Sequence, residues 1–593
     1  MFKARQTPLI SGAGRFLLSA VIFFVFFILP SVTLAKTGIN NTKHNLSMTG
    51  PGDLKSLNET RICVFCHTPH NASPQTPLWN RSLQPFNYVL YESSTLRAPL
   101  RQPDGPSRLC LSCHDGTIAL GNVLKPVGGI SMTGGITPDR PSYIGTNLQD
   151  DHPVAFSYYA SLPNPELSSV LPLGLRFYGS GDMHCTTCHD AHDNTYGKFL
   201  IMDNHYSALC TKCHIMNGWT ISTHSSSTSQ INAALPIAPR NWPTWATVGE
   251  WGCEGCHASH TAGGAQRLLY YQTEETNCYT CHRGNVAQKD IYTQFQKPYR
   301  HPVEMTAGVH DPKENVATMA RHVECADCHN PHASNSTIKA AAPVVSGRLA
   351  LVSGMSIAGT VLATASFEYE ICFKCHADTA MGIPFVQRVI NVINKRLQFS
   401  TVNPSYHPVA GPGRNPNMPS FPSTDPQAPV LLTSSSFIYC TDCHSDDSGS
   451  NGPHGSSYAP LLKRRYDTTL GSTENYDTYS LCYRCHNRNS ILANQSFKGH
   501  QSHIVNQQAS CSICHDPHGV LPDATGVSGS HTHLINFDTV TVMPAPGNVY
   551  PVYNDKGNGT GSCTLVCHNI QHTDWAYSLA GTPAGKAIPR KRR

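Results

Sequence analysis

Apolar positions along this 593-residue chain seldom keep a helical or strand period for long, and the elements they predict are correspondingly short. One periodic segment stands out: Val386, Val389, Ile390, Ile393 and Leu397 recur at helical spacing after Pro384 and predict a helix packed on a core. Leu349 to Phe373 and Leu534 to Tyr553 hold β-prone residues broken by Gly or Pro, which predicts small hairpins. The Ser/Thr-rich stretch Ser222 to Ser229 and the Pro-rich stretch Gly411 to Pro429 predict connectors. The one long uninterrupted apolar run, Phe16 to Leu29, follows Lys3, Arg5 and Arg15 and leads through Pro30 to Thr33-Leu34-Ala35. That order predicts a secretory signal peptide over residues 1–35, since the run is short of the ~20 residues of a comfortable membrane span. No cysteine lies near the cleavage position, which argues against a lipoprotein anchor.

With 45 Gly, 43 Pro and only 14% charged residues, the chain lacks the material for a large aliphatic core. Its cysteines supply a different organisation. All 24 fall into pairs followed at once by histidine. Eleven are Cys-x-x-Cys-His: Cys63, Cys66 and His67; Cys110, Cys113 and His114; Cys185, Cys188 and His189; Cys210, Cys213 and His214; Cys253, Cys256 and His257; Cys278, Cys281 and His282; Cys325, Cys328 and His329; Cys372, Cys375 and His376; Cys440, Cys443 and His444; Cys482, Cys485 and His486; Cys511, Cys514 and His515. The twelfth, Cys563, Cys567 and His568, is one residue longer and calls for a local bulge. Disulfides or zinc would explain paired cysteines but not a histidine after every pair. The pattern is the attachment signature of c-type haem, two thioethers and one iron ligand per site, so twelve covalent haem c groups are expected. On one helical turn both thiols and the imidazole share a face.

These cofactors change the charge. Loss of Lys3, Arg5 and Arg15 with the signal takes the formal +5 to +2, and 24 propionates would then make the holoprotein acidic despite a sequence pI near 8.2. The sequence pI is therefore no argument for nucleic-acid binding, and the Arg590-Lys591-Arg592-Arg593 end reads as solvated.

The motifs alternate between two kinds and group as six dihaem modules, residues 36–125, 126–220, 221–290, 291–385, 386–490 and 491–593. The first motif of a pair tends to carry a histidine three residues on: His70, His192, His260, His332 and His518, with His454 in a Gly-Pro-His-Gly turn taking that place in the fifth module. The second is preceded by apolar or aromatic residues, as in Tyr369-Glu370-Ile371-Cys372. Ahead of each pair lies a further histidine: His44, His152, His224, His301, His407, and the couple His500 and His503. One upstream and one downstream histidine per module would give every iron a second axial ligand. His184, His205, His310, His322, His531, His533 and His572 are left over. Residues three apart lie on one side of a turn, roughly 5–6 Å apart, whereas axial ligands approach an iron from opposite faces. His192 should therefore serve a haem other than the one held at His189, and the same holds for His70, His260, His332 and His518.

Several stretches carry a resemblance: Lys43-His44-Asn45-Leu46-Ser47, CVFCHTPHNA, PLWNR, CLSCHDG, the three His-Pro-Val triplets, YEICFKCH, CTDCH with GPHG, and CSICHDPHG. Over nearly the whole mature chain the sequence resembles the doubled-CXXCH multihaem cytochromes of bacteria that respire on metals or other external acceptors. The resemblance implies a multihaem cytochrome c fold, mostly coil and turns with short helices and a few small β-hairpins wrapped round a chain of closely packed haems. It implies bis-histidine, low-potential haems conducting electrons in the periplasm, at the outer membrane or outside the cell. Partners would be other redox proteins or cytochromes, an outer-membrane porin, or further copies of the chain, and not nucleic acid. The competing reading is a multihaem reductase of a small nitrogen or sulfur oxyanion, which needs an iron with an open position, whereas all twelve motifs end in His.

Overall fold

The computed structural model describes residues 38–577 apart from 74–77, 84, 86, 232–244, 265, 306–307, 316–317, 381, 416–417, 422–431, 434, 523–525 and 558. The expected signal peptide, the basic C-terminal end and much of the Pro-rich connector Gly411 to Pro429 lie outside the described residues.

Coil and turns dominate, interrupted by helices of at most ten residues and by small antiparallel sheets. Several of the short helices are the motifs themselves. Cys185–Cys188, Cys325–Cys328, Cys440–Cys443 and Cys511–Cys514 are single turns that begin at the first cysteine and stop before the histidine, whose backbone has already become extended. Each is closed by the histidine amide donating to the first cysteine carbonyl, at 3.0 Å for His189. Acidic residues cap two of them: Asp327 accepts from the Glu324 amide at 2.8 Å and Asp442 from that of Tyr439 at 2.9 Å. Two of the second-type motifs sit at the ends of longer helices, Gly105–His114 and Glu368–His376, anchored by the buried Leu111 and Phe373 between the thiols and by Ile371 before them.

Apolar packing is divided among small clusters. The largest lies against a three-stranded sheet in which Thr560–Cys567 runs between Val552–Gly557 and Ile570–Tyr577. Elsewhere two-residue ladders join distant segments, Tyr299–Arg300 with Gly455–Ser456 and Ser405–Tyr406 with Gly519–Val520.

Three expectations are corrected. The segment from Pro384 is not a helix until Lys395–Gln398. It runs antiparallel to 537–539 instead, with Val389 donating to Phe537, Thr539 donating to Gln387 and the buried Arg388 side chain donating to the carbonyls of Ser512, Asn536 and His515. Satisfying those buried carbonyls outweighs the helical period of the apolar residues. Ser222 to Ser229 is not wholly a loop, since Ser222 caps a helical turn at Thr223–Ser226 that carries His224. A hairpin does form inside Leu349 to Phe373, from Gly354–Met355 and Val361–Leu362. Leu534 to Tyr553 forms none of its own: Ile535 and Met543 bridge to His515 and Val566, and the first strand of the sheet starts only at Val552. Among the described residues no helix is long and apolar enough to cross a membrane.

Candidate functional site

Every motif histidine faces a second histidine across a gap. The ring centroids of His67 and His192, His114 and His44, His189 and His260, His214 and His152, His257 and His332, and His282 and His224 are 6.2 to 6.3 Å apart. Those of His329 and His454, His376 and His301, His444 and His518, His486 and His407, His515 and His500, and His568 and His503 are 6.1 to 6.4 Å apart. This is too far for a hydrogen bond. It matches two metal–imidazole bonds of about 2.1 Å each plus the two half-rings, which is the spacing an iron between paired axial ligands requires.

The pairing follows a rule. The second motif of a module faces that module's own upstream histidine, whereas the first motif faces the downstream histidine of the next module. His67 of the first module thus faces His192 of the second, and His444 of the fifth faces His518 of the sixth. The sixth module has no successor, and there the upstream couple His500 and His503 divides between His515 and His568. His70 has no predecessor to serve. It is exposed, and among the described residues no histidine ring stands opposite it.

Backbone carbonyls orient the rings. Nδ1 of His44, His224, His301 and His407 donates to the residue just before the next module's ligand: Ala191 at 2.9 Å, Pro331 at 2.9 Å, Pro453 at 2.7 Å, and Pro517. Each such bond sets two facing histidines side by side and leaves Nε2 free to point across the gap. On the motif side, Nδ1 of His189, His257 and His515 donates to Lys198 at 3.0 Å, Arg267 at 2.7 Å and His533 at 2.8 Å. Those carbonyls belong to pairs of non-glycine residues at positive φ, Lys198 and Phe199, Arg267 and Leu268, His533 and Leu534, all between 47° and 61°. Three copies of one strained turn, each holding a motif histidine, mark a site whose geometry is worth its conformational cost.

The sequence reading missed the acids. Asp190, Asn330 and Asp516, between a motif histidine and the one three residues on, accept the amides of His192, His332 and His518 in Asx turns at 3.0, 3.0 and 3.2 Å. Asp151 and Asp446 accept from Nδ1 of His260 and His454, both at 3.0 Å. The recurring Asp or Asn after the motif was a visible signal; Asp151 and Asp446 become meaningful only once the chain has folded.

Burial favours neutral imidazoles. Loss of solvent, reinforced by neighbouring histidines, pushes His214, His329, His376 and His486 down to about 4 and His500 to about 3. At His260 burial works against charge as well, but Asp151 prevails and raises it.

The thiols run in chain order. Cys110 is electrostatically coupled to Cys185, Cys210 to Cys253, Cys278 to Cys325, Cys372 to Cys440 and Cys482 to Cys511, pairs that join each module to the next. Within modules Cys66 lies in electrostatic reach of Cys113, Cys188 of Cys213, Cys256 of Cys281, Cys328 of Cys375, Cys443 of Cys485, and Cys514 of Cys563 and Cys567. No cysteine is in a disulfide. The twelfth motif departs from the helical turn altogether, lying on the strand Thr560–Cys567 with a register shift between Cys563 and Leu565. On a strand, residues four apart share a face as they do on a helix, so both thiols enter the same core cluster.

A family model described as the doubled CXXCH motif matches residues 179–217 and 246–287, each stretch holding a first-type motif followed by a second-type one. The chain carries the doubled CXXCH motif of multihaem c-type cytochromes. In a doubled-CXXCH protein the paired thiols attach haem c covalently, and the motifs support an electron-transfer role. No curated protein matches the chain.

Proposed function

We propose that the mature chain is an exported dodecahaem c-type cytochrome that conducts electrons through twelve bis-histidine haems in respiration to an extracellular acceptor such as a metal oxide. The observation that carries the reading is the facing of all twelve motif histidines by a second histidine at 6.1 to 6.4 Å. The haems, when bound, supply one-electron chemistry. The chain does the rest. Its thiols would hold the haems in chain order, its paired imidazoles would hold each iron between them, and carbonyls and carboxylates orient many of the rings through Nδ1. Closed positions favour electron transfer over the reductase alternative, which needs an iron open to substrate. The polypeptide then wraps the haems as six interlocked dihaem modules and meets other redox proteins at its surface.

Intact mass spectrometry tests the count, with twelve thioether-linked haems expected. Eleven, with Cys563 and Cys567 free, would remove the strand-borne site from the chain. The oxidised protein should be low-spin throughout and the reduced protein should not bind carbon monoxide rapidly; substantial high-spin iron would favour the reductase. Cell fractionation with protease shaving of intact cells tests the location, and protection of the protein inside the cytoplasm would overturn export.

A further inference from the structure

Two of the histidines left over by the paired rings meet in one place. The ligand atoms of His310, His322 and Asp327 lie within 4.8 Å of one another. Nδ1 of His310 is 3.6 Å from Oε2 of Glu324 and 3.6 Å from Oδ1 of Asp327. Nδ1 of His322 donates to the Ala320 carbonyl at 2.7 Å, which turns Nε2 toward Oε2 of Glu314 at 3.0 Å.

The contacts are not those of a finished hydrogen-bond network. Nδ1 of His310 and the Oε2 atoms of Glu314 and Glu324 are all buried without a hydrogen-bond partner. Glu324 is only 5% exposed, and among the described residues neither it, Glu314 nor Asp327 pairs with Lys or Arg. Nitrogens and carboxylate oxygens converging at 3.0 to 3.6 Å need a proton or a cation between them, and a single ion can serve several of them at once. His310, His322 and Asp327 thus present two imidazole nitrogens and a carboxylate oxygen within 4.8 Å of one another, the donor types that zinc takes. The His322 ring is already fixed through its other nitrogen to a carbonyl, as metal-bound histidines usually are. Glu274, itself buried, steadies both sides by accepting from the amides of His310 at 3.1 Å and Ala326 at 2.6 Å.

We propose that His310, His322 and Asp327 bind one divalent transition-metal ion of the zinc class, distinct from the haem irons, with the carboxylates of Glu324 and Glu314 lining the site. Two imidazoles with carboxylates suit zinc better than the all-oxygen sets that calcium and magnesium take. The ion ties the loop carrying His310 and Glu314 to the motif turn Cys325–Cys328.

Holoprotein stripped with a chelator and dialysed against Zn²⁺ alone tests this, with zinc and haem iron counted separately. One Zn²⁺ per chain is expected. The variants His322→Gln and Glu314→Gln should each bind at least about ten-fold more weakly, with haem content and low-spin spectrum unchanged. Should His322→Gln fail to fold, Glu314→Gln carries the comparison. Wild-type protein that takes up no zinc, or a folded Glu314→Gln that binds it as tightly as wild type, would overturn the assignment. Preference for Ca²⁺ over Zn²⁺ would overturn the class of ion.

Discussion

His192 faces His67 and turns away from His189, three residues before it in the chain, with ring centroids 6.2 Å apart and planes 13° from parallel. The Asx turn at Asp190 sends the two histidines in different directions. His192→Ala should therefore leave every thioether intact and turn one haem high-spin, the one attached at Cys63 and Cys66. Magnetic resonance of the oxidised variant identifies the altered site. A change at the haem of Cys185 and Cys188 would refute the crossed arrangement.

The two ends of the array behave differently. His70→Ala should leave all haems low-spin, because its ring faces no other histidine among the described residues. His500→Ala and His503→Ala should each open one iron, at His515 and at His568 respectively. Carbon monoxide titration of the reduced variants counts the openings: none for the first and one for each of the others.

Ring orientation separates the sites into classes. In modules one and three to five the first-motif pairs are nearly parallel, at 13°, 12°, 17° and 4°, whereas the second-motif pairs of modules one to five cross at 51° to 87°. The relative orientation of axial planes governs the anisotropy of a low-spin ferric ion. Electron paramagnetic resonance should resolve a nearly parallel and a strongly crossed population. A single homogeneous signal would contradict the geometry.

Arg388 and Arg81 are buried guanidinium hubs. Arg81 donates to the carbonyls of Leu120 at 2.6 Å, Ser112 at 3.1 Å and Ala119 at 3.1 Å, as Arg388 does to those of Ser512, Asn536 and His515. Arg388→Met should destabilise by about 3 kcal/mol or more, since several buried carbonyls lose their donor. Arg465, whose ion pairs with Asp467 and Asp477 are exposed, should tolerate Gln at about 1 kcal/mol or less. Denaturant unfolding of the holoproteins compares them.

Much of the site could be read from the sequence because its chemistry is local: two thiols and an imidazole within one turn need only their spacing. The distal set was legible as a repeat, and the opposite-face argument sent His192 and His518 to haems other than those of His189 and His515, while the backward direction comes from the fold. Only the fold distinguishes His70, identical in motif to His192, because the difference lies in having a module before it. The Val386 to Leu397 helix failed for a related reason. Periodicity registers apolar residues, while the conformation there is decided by Arg388 and by carbonyls more than a hundred residues away.

Each of modules two to five hands its downstream histidine to the module before it and receives one from the module after it. An internal repeat can therefore be inserted or removed as a whole without orphaning any ring, because what it donates and what it accepts cancel. The termini have no such freedom. In the sixth module the His500 and His503 couple serves both motifs, and in the first module His70 stands exposed with no facing histidine among the described residues. The length of such an array is adjustable in steps of one module.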